Sequence, residues 1–227
     1  GTFIDWDEPI DVEQENNVFS ERLSYGSRIV GGTKTNSGVL INTDKMSYLM
    51  QPDTTQVWDI RPLASENAPV GPNAILDVNG VVRWMAPTKF VKYDGVQNEI
   101  PCDVWGYIFD NEAGTPGFNR VQADKVYAYY NSIGDESTWF YPSKNSEEND
   151  RYVCYNGTER CWYYGALART AMSTGGVAYS LPYGSDPNGA FFVHEGVRDA
   201  DGEAMNEYIE SFDMQIGEGE MATHLSM

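Results

Sequence analysis

The chain has 227 residues and a formal net charge of −19, with 34 acidic side chains against 15 basic ones. That balance disfavours gripping nucleic acid through its phosphates, which takes a Lys/Arg stripe the sequence does not contain. It also has no run of about 18 apolar residues to serve as a membrane-spanning helix. Its 15 Tyr, 6 Trp, 22 Gly and 11 Pro point instead to many short strands joined by tight turns.

In chain order, Arg28–Thr33, Gly38–Thr43, Met46–Met50 and Val57–Arg61 read as four strands, the second and third joined through Thr43-Asp44-Lys45. A second group covers Ala74–Val78, Val81–Met85, Phe90–Tyr93 and Asn98–Pro101. Its turns, Asn79-Gly80 and Asp94-Gly95, are strong hairpin signals because such turns need positive φ. Residues Cys102–Asn111 read as a short helix, Gly114–Gly117 as an excursion loop and Asn119–Asp124 as another helical turn, together an insertion at 102–124. A third group follows: Lys125–Tyr130, Thr138–Tyr141, Arg151–Tyr155 and Arg160–Tyr164, with a tight turn at Asn156-Gly157 and Trp162 placed to face Tyr155. A looser fourth group is Ala168–Ser173, Gly176–Leu181, Ala190–His194 and Tyr208–Gln215.

Four-strand groups recurring every ~40–60 residues are the habit of propeller blades. The expected fold is therefore all-β: a β-propeller-like array of four-stranded antiparallel blades in one domain over 1–227, with groups at 28–61, 74–101, 125–164 and 168–215. A β-sandwich is the alternative. Val81, Arg83 and Met85 alternate with Val82 and Trp84, so both faces of that strand are apolar and only Arg83 breaks the pattern. Trp84, Trp139 and Trp162 read as core residues. The chain begins with Gly1 and stops at Leu225-Ser226-Met227 within strand-like sequence, so the expectation is a piece of a longer polypeptide.

The acidity is uneven. Residues 5–21 hold seven acids and no base, 135–150 five acids against Lys144, and 195–220 nine acids against Arg198. These stretches account for the whole net charge, and they read as solvated loops or ends, or as a patch that docks a basic partner. Cys154 and Cys161 flank the Asn156-Gly157 turn, where a disulfide is conceivable, but the odd count with Cys102 favours free, mostly buried thiols. With only His194 and His224 and no closely spaced Cys pair, zinc is not indicated.

No motif specifies catalysis. Glu195 with Asp199 or Asp201, beside His194, is the nearest approach to a glycosidase carboxylate pair. Asp199, Asp201 and Glu203 around Gly202 lack the complete ligand set of a calcium loop. Neither Gly31-Gly32 nor Gly175-Gly176 leads into a phosphate-binding helix. Asn156-Gly157-Thr158 matches a glycosylation acceptor but is explained by its turn. The expectation is no catalytic, cofactor-binding or metal residues. A carbohydrate-binding propeller, with Trp6, Trp58 and Trp105 stacking on sugars, is the alternative, and a propeller glycosidase or lyase acting through Glu195 or Asp201 is a third reading.

Several phrases, in a constant order along nearly the whole chain, carry a resemblance. They include Leu40-Ile41-Asn42-Thr43-Asp44 with Tyr48-Leu49-Met50-Gln51, Gly71-Pro72-Asn73-Ala74, Val81-Val82-Arg83-Trp84-Met85 and Tyr93-Asp94-Gly95 leading into Ile100-Pro101-Cys102. Further along are Ala123-Asp124-Lys125-Val126-Tyr127, Trp139-Phe140-Tyr141-Pro142-Ser143, Asp150-Arg151-Tyr152-Val153, Leu167-Ala168-Arg169-Thr170-Ala171, His194-Glu195-Gly196, Tyr208-Ile209-Glu210-Ser211 and Ile216-Gly217-Glu218-Gly219-Glu220. In these the chain resembles the propeller-bearing tail proteins of short-tailed bacteriophages. The Gly114-rich insertion and Cys161 depart from that pattern. The resemblance implies a non-enzymatic virion component of the tail hub or nozzle kind, made in the host cytoplasm and usually longer at both ends. It further implies a cyclic homo-oligomer below the portal, in contact with other tail or portal/adaptor proteins. DNA would pass through it without adhering, past acidic walls, and no membrane is involved.

Overall fold

The computed structural model describes residues 22–53, 57–63, 66–111, 114–174 and 180–195, and four two-residue strands beyond them. The chain divides into two compact units, residues 1–193 and 194–227.

The first unit is all-β. Sheet one runs β1 (Ile29–Thr35), β2 (Gly38–Thr43), β3 (Ser47–Asp53), β4 (Val57–Pro62) in that spatial order. Sheet two is β5 (Ile75–Val78), β6 (Val81–Met85), β7 (Phe90–Tyr93), β8 (Gln97–Ile100). Sheet three is β9 (Tyr127–Asn131), β10 (Glu136–Tyr141), β11 (Arg151–Asn156), β12 (Cys161–Ala166). Sheet four is β13 (Ala171–Ser173), β14 (Tyr183–Ser185), β15 (Phe191–Val193). Every strand pairs antiparallel with its neighbour in sequence, so each sheet is a meander. The first strands lie against one another in succession: β1 against β5, β5 against β9, β9 against β13.

Alternation of side chains explains why the sheets stack. On β6, Val82 and Trp84 turn to one face and join Leu40 and Leu49 of sheet one and Val91 and Tyr93 of β7 in one core. Met85 turns to the other face, where Phe90 and Ile100 meet Trp139, Tyr141 and Val153 of sheet three. The opposite face of sheet three places Tyr129 and Phe140 against Met172 of sheet four. Sheets two and three thus carry apolar side chains on both faces, although β8 keeps a polar run at Gln97, Asn98 and Glu99. Burying each of these large side chains contributes roughly 1.5–3 kcal/mol.

The two Asn-Gly turns differ in whether they follow their sequence signal. Asn79 (φ 54°) and Gly80 (φ 87°) close a two-residue hairpin between β5 and β6, as their sequence predicts. Asn156-Gly157 does not form the expected tight turn: β11 runs through Asn156, the loop spans residues 157–160, and the left-handed residue is Arg160 (φ 56°). Gly157 is required instead by proximity, since a Cβ there would lie 2.3 Å from Asp135 Oδ2.

The short helix α1 (Trp105–Phe109) and a 3-10 helix at Arg120–Lys125 occupy the 102–124 insertion. Ile108, Phe109 and Phe118 of this insertion are buried in the core between sheets two and three. The fourth group also differs from expectation. Of Gly176–Leu181, residues 176–179 lie outside the described residues, and Ser180 and Leu181 are not in a strand. The middle strand of sheet four is β14, a few residues later. Within Tyr208–Gln215, residues 208–213 lie outside the described residues, and β18 (Met214–Gln215) pairs with β19 (Ala222–Thr223) in the second unit. That unit also holds the hairpin β16 (Asp199–Ala200) and β17 (Glu203–Ala204).

Candidate functional site

The seam between sheets two and three concentrates the polar chemistry of the first unit. Three backbone carbonyls and one hydroxyl receive donors across it. Trp139 Nε1 donates to the Ala74 carbonyl at 3.1 Å, Trp162 Nε1 to that of Pro101 at 2.7 Å, and the Ala128 amide to that of Asn73 at 2.7 Å. Arg83 Nη1 donates to Ser137 Oγ at 2.8 Å.

Arg83 occupies the strand position where an apolar residue would otherwise pack. Its guanidinium sits 5.4 Å from the centre of the Tyr155 ring, a cation–π contact, and its Nη1 lies 3.7 Å from Asp135 Oδ1. Asp135 is itself held in the left-handed region (φ 50°) and accepts from Tyr130 Oη at 3.2 Å, while its carbonyl accepts from the Gly157 amide at 2.8 Å. Burial, with the Asp135 charge nearby, pushes the Tyr130 hydroxyl above its ordinary pKa. Beside this cluster the aromatic fill begins: Phe90 lies 4.8 Å from Trp139 and 4.6 Å from Trp162, centre to centre. Trp84 and Trp139 are buried core residues as predicted, and Trp162 is partly buried and faces Tyr155 in register.

The acids of 135–150 are mostly occupied locally. Glu136 accepts from Asn131, Glu148 pairs with Lys125, and both carboxylate oxygens of Asp150 accept from Ser143, through its amide and its hydroxyl. The 5–21 stretch lies outside the described residues, as does nearly all of 195–220.

Glu195 is left-handed (φ 70°) beside His194, Asp201 lies outside the described residues, and Asp199 and Glu203 fall on the β16–β17 hairpin. Among the described residues no three His, Cys, Asp or Glu side chains gather to hold a metal ion. Trp105 is exposed but spends its Nε1 donor on the Thr88 carbonyl at 2.7 Å, Trp58 is half-buried on β4, and Trp6 and His224 lie outside the described residues.

All three cysteines are free, but they are not uniformly buried. Cys154 is buried, Cys102 is half-buried and Cys161 is exposed. Cys154 faces Tyr163 and Cys161 faces Asn156, so the two thiols are not partners across the hairpin. Burial pushes the Cys102 thiol up to about 12 and that of Cys154 up to about 11. No helix among the described residues is long and apolar enough to cross a membrane.

The role of Arg83 was visible in the sequence only as a break in pattern. Its partners Ser137 and Asp135 lie more than fifty positions away, and nothing local marks them. Compared with known proteins, the sequence matches no family model and no curated protein.

Proposed function

We propose that this protein is a non-enzymatic structural component of a bacteriophage tail, of the hub or nozzle kind, whose sheets radiate as propeller blades. It assembles as a cyclic homo-oligomer below the portal, meets other tail or portal/adaptor proteins, and forms part of the conduit through which DNA passes into the host. The observation that carries this reading is the succession of first strands, β1 to β5 to β9 to β13, at one edge of consecutively stacked meanders. In a propeller the first strand of each blade lines the axis and neighbouring blades pack face to face. The ordered phrases shared with propeller-bearing tail proteins of short-tailed phages support the same reading. So does a seam in which Trp and Arg side chains tie one sheet to the next, as a rigid spacer requires.

The net charge of −19 suits a conduit wall that DNA does not adhere to, since like charges repel within a Debye length of about 8 Å at physiological salt. Cryo-electron microscopy of the particle that contains this chain tests the proposal. Rings of this chain stacked on the tail axis support it. A monomer remote from that axis, or an acidic surface turned wholly outward, overturns the conduit role.

A further inference from the structure

We propose that the seam between sheets two and three carries a binding site for a carboxylate-bearing sugar of the uronic acid type. A cavity of about 550 Å³ opens there, lined by Arg83, Lys92, Arg160, Tyr155, Glu99 and Asp103, and its size falls within the range of small-ligand pockets. The inference is independent of the tail reading.

The first observation is a charge arrangement that packing alone does not explain. Arg83 and Lys92 stand directly opposite each other on β6 and β7, and like charges so placed destabilise a strand pair. Lys92 is offset by Asp94 at 2.9 Å. Among the described residues, the carboxylate nearest Arg83 in an ion pair is Asp135, whose 3.7 Å separation is too long for a hydrogen bond. Among the described residues, the guanidinium hydrogen-bonds through Nη1, to Ser137, and through no other nitrogen. Ser137, Asp135 and the Tyr155 ring hold the group in place while its remaining donors stay unspent beside the cavity. That is the fork geometry that recognises a carboxylate through two parallel bonds.

The second observation concerns the rim. Arg160 reaches the cavity from the β11–β12 loop, where it is held left-handed, and its side chain forms no ion pair among the described residues. Asp103, also on the rim, likewise makes no ion pair or hydrogen bond there, and Glu99 is bridged to Lys89 at 2.8 Å. Cations alone would describe a phosphate site. Cations beside carboxylates that accept hydroxyl protons, next to a phenol ring, describe a ligand with one acid group and several hydroxyls. A compact phosphate dianion would set its concentrated charge against Glu99 and Asp103 and has a single hydroxyl to give them, whereas a sugar has several.

The test is a titration of the protein with glucuronate at physiological salt, followed by amide NMR shifts, with glucose and inorganic phosphate as comparison ligands. Saturable shifts centred on Gly157, Arg160 and Trp162, with glucuronate bound about tenfold more tightly than glucose, support the site; tenfold is the order expected of one charge-assisted pair. Arg160→Gly removes the charge while suiting the left-handed backbone, so it is expected to weaken glucuronate severalfold without lowering the melting temperature. Arg83→Met, which keeps the packing volume, is expected to weaken it further. Equal affinity for glucose overturns the carboxylate assignment, and equal affinity for phosphate overturns the sugar assignment. Binding unaffected by Arg160→Gly overturns the site itself.

Discussion

Trp139 and Ala74 are 65 positions apart in sequence, yet the indole N–H of one donates to the carbonyl of the other at 3.1 Å inside the core. Both residues are fully buried, and the bond fastens β10, an inner strand of sheet three, to the entry of sheet two. Trp139→Ala is therefore expected to cost about 3–5 kcal/mol through lost burial and the cavity left behind. Trp139→Phe keeps a ring against Phe90 and loses chiefly the donor. The Ala74 carbonyl also accepts from the Met85 amide at 3.2 Å, so it is not orphaned, and the cost should be nearer 1 kcal/mol. Urea unfolding of the two variants measures both.

Gly157 and Asp135 form a second cross-loop relationship. A Cβ at Gly157 would lie 2.3 Å from Asp135 Oδ2, so Gly157→Ala should displace that carboxylate and loosen its hold on Arg83, costing roughly 1–3 kcal/mol. Asp135→Gly removes the obstacle and suits φ 50°. The Ala substitution is then expected to cost much less in the Asp135→Gly background, and a double-mutant cycle by thermal melting reads that coupling.

Thiol chemistry should separate the cysteines sharply. Alkylation follows the thiolate. Cys161 is exposed, whereas burial pushes the Cys102 thiol up to about 12 and the Cys154 thiol up to about 11. Iodoacetamide at neutral pH is expected to modify Cys161 alone in the native protein and all three in urea. Intact mass and peptide mapping check this.

Asp44 sets an acid limit on one turn. Hydrogen bonds from the Ser27 amide and hydroxyl, and from the Arg28 amide, lower its pKa from 3.8 to about 2. Because the folded value is depressed, its stabilising contribution is present above 3.8 and disappears as pH falls through about 2. Asp44→Asn should be less stable than wild type near neutral pH, and the gap should close over that window. Melting temperatures of both proteins across acidic pH measure it.

The first three sheets were legible because their signals are local: alternating strands, an Asn-Gly turn at residues 79–80, and aromatic residues on pleated faces. Register across β11–β12 was legible too, since Tyr155 does face Trp162. The Asn156-Gly157 turn misled because the same dipeptide serves two needs. Here the glycine makes room for Asp135, a residue more than twenty positions away, and the loop finds its positive φ at Arg160. The burial of the insertion was not legible, because its apolar residues, Ile108, Phe109 and Phe118, show no period that names the sheet they cover. Sheet four was the least legible, as its strands are only three residues long. Arg83 was conspicuous in the sequence, but its meaning depends on Ser137, Asp135 and Tyr155 in another sheet.

The meander connectivity has a consequence for biogenesis. Among the described residues, each strand's hydrogen-bonding mate is its immediate predecessor or successor, and each buried cluster joins sheets that are neighbours in the chain. Loop closure within these sheets is correspondingly cheap during folding. Sheet two can close on sheet one while sheet three is still being synthesised, so aromatic surface is covered almost as soon as it is made.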